Sequence, residues 1–196
     1  MKPEFFVAAF LIFLLPHAVH FQQDALTPFE KCRLVTPSDL SEKGAPAFAA
    51  YRDNINSMSG GPKLDLSNPT AWTYRTWFQH EVARGPNFAG HYGVVVWGCG
   101  TSCGMFAVVN LNTGRVIEPD GFWSINTVHF ADEGFVSNPK RDYWGFDFRR
   151  DSRLLVVIGG LDEDEEREGA FYFTLEHEQL RLIHSKIVKK DCDDLR

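Results

Sequence analysis

The residues with chemical capability concentrate between Gly85 and Cys103, where GPNFAGHYGVVVWGCGTSC sets Asn87, His91, Trp97, Cys99, Ser102 and Cys103 among glycines. Three chemistries could use them. In a hydrolase, His91 would act as general base, because an imidazole titrates near neutrality. Asn87, His80, Glu81 and Asp120 would orient or protonate, and Ser102 or a bound water would attack. The spacing does not link these groups, since there is no G-x-S-x-G elbow, and His80-Glu81 runs on through Val82, Ala83 and Arg84 without the second histidine of an H-E-x-x-H helix. The competing expectation for His91 is a ring hydrogen-bonded to turn backbone beside Tyr92.

A thiol-disulfide protein would use Cys99 and Cys103. Redox pairs of that kind hold a two-residue spacer at a helix N-terminus, which lowers the thiol pKa. Here the spacer has three residues and its neighbours read as strands, so a static bridge at a glycine-bent hairpin tip is the better expectation. A zinc site could draw on Cys99, Cys103, His91 and His80 or His129, but the spacing is not that of a zinc finger and oxidation would consume the thiolates. The acidic run from Asp162 to Glu168 has carboxylates suited to calcium but lacks the loop pattern with a central glycine; a solvated turn is expected. No metal and no cofactor are therefore expected.

Aromatic side chains supply the remaining candidates. Trp97 adjoins the cysteine loop, Phe122-Trp123 follow the turn Pro119-Asp120-Gly121, and Tyr143-Trp144 begin a predicted strand. Those that face outward near loops would suit a sugar or a protein partner. The predicted binding set is Trp97, His91, Tyr92 and Trp123.

The elements that must position these groups follow from length and pattern. The chain has 196 residues, an apolar fraction of 44% and a net charge of −6, which fit one globular core. Lys2 followed by the apolar run Phe5–Leu15 and Pro16 reads as a signal peptide over residues 1–25, with 26–196 as a single domain. Eleven apolar residues are too few to span a bilayer, so no stable membrane anchor is expected after cleavage, and the protein should be periplasmic or secreted. Without the leader, 19 basic and 24 acidic side chains remain and no basic run occurs, which argues against nucleic acid as a partner.

Four cysteines behind an export signal are expected to be oxidised. Of three possible pairings, the most economical joins Cys32 to Cys192 and Cys99 to Cys103.

The expected fold is α+β and mainly antiparallel β. A short helical stretch is predicted at Pro46–Asp53 with Ser38 as a nearby N-cap. A longer helix is predicted at Thr70–Ala83 behind Asn68-Pro69, with Ala71, Tyr74, Phe78 and Val82 on one face. Strands are predicted at His91–Gly98, Met105–Asn110, Arg115–Glu118, Tyr143–Phe148, Arg153–Gly159, Ala170–Leu175 and Leu180–His184. The units 84–118 and 143–184 share a strand, loop, strand, turn, strand order, which points to a weak internal duplication. Two meander sheets or a partly open barrel would result, with one or two N-terminal helices on a face.

The NFAGHY segment at Asn87–Tyr92 followed by WGCGTSC at Trp97–Cys103 resembles a family of uncharacterised exported bacterial proteins. A weaker likeness continues through DSRLLVVIGG at Asp151–Gly160. The resemblance implies export and a β-rich fold and brings no catalytic residues. Together these readings lead to an exported, non-enzymatic recognition domain for a protein or saccharide ligand. The alternatives are a hydrolase on His91 and a thiol-disulfide or metal protein on Cys99 and Cys103.

Overall fold

The computed structural model describes residues 26–55, 61–127, 129–130 and 145–195. The predicted signal peptide and the pair Tyr143-Trp144 lie outside these residues. Eight strands form one open, wholly antiparallel sheet: β1 (Tyr92–Gly100), β2 (Cys103–Asn110), β3 (Val116–Ile117), β4 (Ile125–Asn126), β5 (Phe146–Phe148), β6 (Leu154–Leu161), β7 (Glu168–Glu176) and β8 (Gln179–Ile187). Their order is β1-β2-β4-β6-β7-β8, with β3 beside β2 and β5 beside β6. The fold is thus α+β with a dominant antiparallel sheet. Segment 84–118 contains the three-stranded meander β1-β2-β3, and segment 145–187 the four-stranded meander β5-β6-β7-β8. The two-residue β4 joins the meanders, pairing Ile125 with both Gly104 and Leu161.

Alternation along the strands explains how one sheet serves three apolar clusters. Val94, Phe106 and Val108 of the first meander share a core with Leu155, Val157, Phe171 and Phe173 of the second. The intervening residues Val95, Trp97, Ala107 and Val109 point to the opposite face. That outer face is covered by α3 (Pro69–Thr73) and α4 (Arg75–Ala83) through Ala71, Tyr74, Phe78 and Val82. The outer face of the second meander, with Ala170, Ile158 and Tyr172, is covered by Val35 and Leu40 from the N-terminal segment. Because both faces of β2, β6 and β7 are buried over most of their length, these strands read as nearly continuous apolar runs, whereas the edge strand β8 is largely exposed.

Helix boundaries depart from the sequence expectation in three places. Asn68 does cap α3, its Oδ1 accepting from Ala71 N at 2.9 Å, and Pro69 holds the first position. The single predicted helix is nevertheless split at Tyr74, whose φ and ψ are −104° and 28°. Tyr74 packs against Trp97 with ring centroids 4.8 Å apart, and the neighbouring Thr70, Trp72 and Thr73 are weak helix formers. Near the N-terminus the cap is Thr36, not Ser38: Pro37 takes the first position of α2 (Pro37–Leu40), and Asp39 accepts from Thr36 N and Oγ1 at 2.7 Å each. The predicted helix at Pro46–Asp53 is one 3-10 turn, Phe48–Tyr51, and α1 (Pro28–Arg33) precedes both.

Both predicted disulfides are formed. Cys32 and Cys192 lie 6.0 Å apart at Cα and Cys99 and Cys103 lie 5.2 Å apart. Ser102, inside the short bridged loop, adopts φ +54°. No described helix is long and apolar enough to cross a membrane.

Candidate functional site

Two clefts flank the α3–α4 layer, and Trp97 lines both. The larger, about 820 Å³, lies between α3 and the segment Glu118–Trp123. Thr70, Thr73 and Tyr74 form one wall, Trp97, Met105 and Phe106 the floor, and Glu118, Asp120 and Trp123 the other wall with Asp162. Its volume falls within the range of about 300–1,000 Å³ typical of small-molecule sites.

The chain holds Trp123 outward by a defined set of ties. Phe122 is buried, its ring 5.9 Å from Phe106 and 5.8 Å from Phe173, so alternation turns Trp123 to solvent, where it is 78% exposed. Asp162 Oδ1 accepts from Trp123 N at 2.7 Å and Ser124 N at 3.1 Å, while Asp162 N donates to Ser124 O at 3.0 Å. Arg167 completes the frame by donating to Asp162 Oδ2 and to Gly121 O, each at 3.3 Å. Gly121 has φ +83°, a value that favours glycine at this turn. The acidic turn read from sequence as solvated therefore has a structural task at its first residue.

The floor carries an unmet polar group. Trp97 is 2% exposed, packed against Tyr74 and against Phe78 at 5.3 Å, and its buried Nε1–H has no acceptor among the described residues. Among the described residues the Tyr74 hydroxyl reaches only the Met105 sulfur, at 4.0 Å. A buried donor without a partner costs about 1–3 kcal/mol, a cost that an oxygen reaching Nε1 would remove.

The smaller cleft, about 390 Å³, sits at the joint between the meanders. His80, Glu81 and Arg84 of α4 face Ser102, Cys103 and Gly104 across it. Glu81 is buried, with His80 Nδ1 and Arg84 both 3.2 Å from its Oε1. This arrangement offers a fixed carboxylate beside a hydroxyl and a bridged sulfur.

The three catalytic candidates have separate surroundings. His80 lines the smaller cleft, which neither Asn87 nor His91 lines. Asn87 is occupied with backbone: its Nδ2 donates to Val94 O at 3.3 Å and its Oδ1 accepts from Val94 N at 2.8 Å, extending the edge of β1. His91 stacks on Tyr92 at 4.4 Å, and its ring makes no hydrogen bond among the described residues, so the expected tie to turn backbone is replaced by ring contact. Tyr92 is half-buried; burial, with the charges of Glu178 and Asp53, pushes its hydroxyl pKa up. Cys99 and Cys103 are bridged, and His129 pairs with Glu168, so the zinc set is not gathered. Among the described residues no group of three or more His, Cys, Asp or Glu could hold a metal ion.

Of the predicted binding residues, Trp97 and Trp123 meet at the larger cleft, Trp97 as floor and Trp123 as lip. Sequence reading missed Tyr74, Thr70 and Thr73 as wall residues and Asp162 as the anchor. The face Ala71, Tyr74, Phe78 and Val82 already implied that Trp72 and Trp77 point away from the core, and they are 58% and 51% exposed. No local signal links Asp162 to a loop 39 residues earlier. No protein-family model, curated protein or solved structure matches the chain.

Proposed function

We propose that this protein is an exported, non-enzymatic recognition domain that binds a saccharide in the cleft between α3 and the Glu118–Trp123 wall. The observation that carries the reading is Trp123: a large ring held 78% exposed at a cleft lip by backbone that Asp162 and Arg167 tie in place. A flat ring fixed before binding loses little freedom when a sugar face stacks on it. Thr70, Thr73 and the carboxylates supply polar partners for hydroxyls, and Trp97 Nε1–H supplies a donor on the floor. Export is supported by the apolar leader, by two disulfides and by the resemblance of the Asn87–Cys103 segment to exported proteins.

The test is a tryptophan-fluorescence titration against a panel of neutral, basic and acidic oligosaccharides. Trp123→Ala should weaken binding about 30-fold, the size expected of an aromatic anchor, with the melting temperature unchanged. Trp72→Ala removes an equally conspicuous exposed ring that lines neither cleft, and should leave affinity unaltered. Equal losses in the two variants, or binding that ignores Trp123, would overturn the assignment.

A further inference from the structure

We infer that the saccharide this cleft takes is positively charged: an amino sugar with free ammonium groups. The inference rests on the reading of the larger cleft as a saccharide site and names the class of ligand within it. Among the described residues, three carboxylates line the cleft, from Glu118, Asp120 and Asp162, and no lysine, arginine or histidine does. Asp162 is committed to Trp123 N, Ser124 N and Arg167. Glu118 and Asp120, both exposed, make no hydrogen bond or ion pair among the described residues. Two uncompensated negative charges two residues apart repel each other, and a cation placed between wall and lip relieves that repulsion.

The aromatic lining favours the same sign. Tyr74 and Trp123 line the cleft with π-systems, and the electron-rich face of such rings attracts an ammonium group. A neutral sugar would gain stacking alone, and an acidic one would meet the carboxylates. The floor adds a second, independent requirement. Trp97 Nε1–H is a donor without an acceptor, and an ammonium group cannot accept from it, whereas a sugar hydroxyl can. A ligand that answers both features carries ammonium and hydroxyl groups on one ring face.

The experiment compares a glucosamine trimer with the N-acetylglucosamine trimer near pH 6, by calorimetry and tryptophan fluorescence at low and high salt. The wild-type protein should bind the glucosamine trimer at least tenfold more tightly, and the preference should shrink as salt screens the exposed carboxylates. Glu118→Gln with Asp120→Asn should abolish the preference and leave the melting curve unchanged, because both side chains are exposed; each single variant should remove part of it. Equal affinity for the two trimers, with Trp123→Ala weakening both, would overturn the charge inference while the saccharide reading stands. A preference that survives the double variant would overturn it too, since the charge would then be read elsewhere. If neither trimer binds, the inference is overturned, and the wider panel decides the saccharide reading separately.

Discussion

Breaking the Cys32–Cys192 bridge, by Cys32→Ser together with Cys192→Ser, should destabilise the protein far more than breaking Cys99–Cys103. The first bridge closes a sequence separation of 160 and the second a separation of 4. In the chain-entropy account the denatured state regains about 5 kcal/mol of freedom in the first case and about 2 kcal/mol in the second. The native ends keep other ties, which is why the difference should reside chiefly in the denatured state. Lys190 Nζ donates to Leu34 O at 2.6 Å and pairs with Asp39 at 2.8 Å, and Val188 N donates to Glu168 O at 2.9 Å. Urea unfolding followed by fluorescence measures the effect. With a denaturant slope of about 2 kcal/mol per molar, the midpoint should fall by about 2.5 M for the long bridge and about 1 M for the short one. The slope itself should rise in the long-bridge variant as its denatured chain expands. Equal shifts for the two pairs, or a larger shift for Cys99 and Cys103, would refute the loop-length argument and assign the short bridge a native-state role.

Further outcomes follow from particular contacts. Asn87→Ala should lose about 1–3 kcal/mol of stability in thermal melts, because Val94 N and O both lose a partner, while affinity at the larger cleft stays the same; a binding defect at full stability would contradict its structural role. Gly169→Ala should be among the most damaging single changes, since its Cβ would lie 2.0 Å from Lys186 O, and retention of the wild-type melting temperature would show that β7 and β8 pair otherwise. Tyr92 has a folded-state pKa above the ordinary value of 10.0, so its contribution to stability is complete below that pH and is lost as pH rises through the raised value. Burial and Glu42 raise the pKa of Tyr172 as well, so alkaline titration at 295 nm should contain a late phase from both tyrosines that Tyr92→Phe reduces; an unchanged titration curve would refute the assignment to Tyr92.

Much of the fold was legible because strands here are long and bounded by strong turn signals. The apolar runs around Val94–Val96, Phe106–Val109 and Leu154–Ile158 locate β1, β2 and β6 without ambiguity, and Asn68-Pro69 marks the helix start. The joint between meanders was not legible, because a strand of two residues, Ile125–Asn126, has no periodicity to detect. Capping at Thr36 was displaced from Ser38 by a proline whose effect is local and readable, so that error lay in weighing Ser38 above Thr36-Pro37. At the site, Trp123 was identifiable from its turn context. Its anchor and the opposite wall come from distant segments, and only tertiary packing brings Asp162 and Thr73 to it. His91 drew attention through its glycine-rich setting, yet that setting serves the bend before β1, where Gly90 N donates to Arg150 O at 2.7 Å.

The brevity of β4 has a mechanical consequence. Within the sheet the two halves meet along a seam of four cross-strand positions, so shear between them is resisted mainly by shared apolar side chains and by the backbone hydrogen bonds that Ala89 and Gly90 make to Arg149, Arg150 and Ser152. The smaller cleft opens on that seam, with Ile125 and Thr127 in its lining.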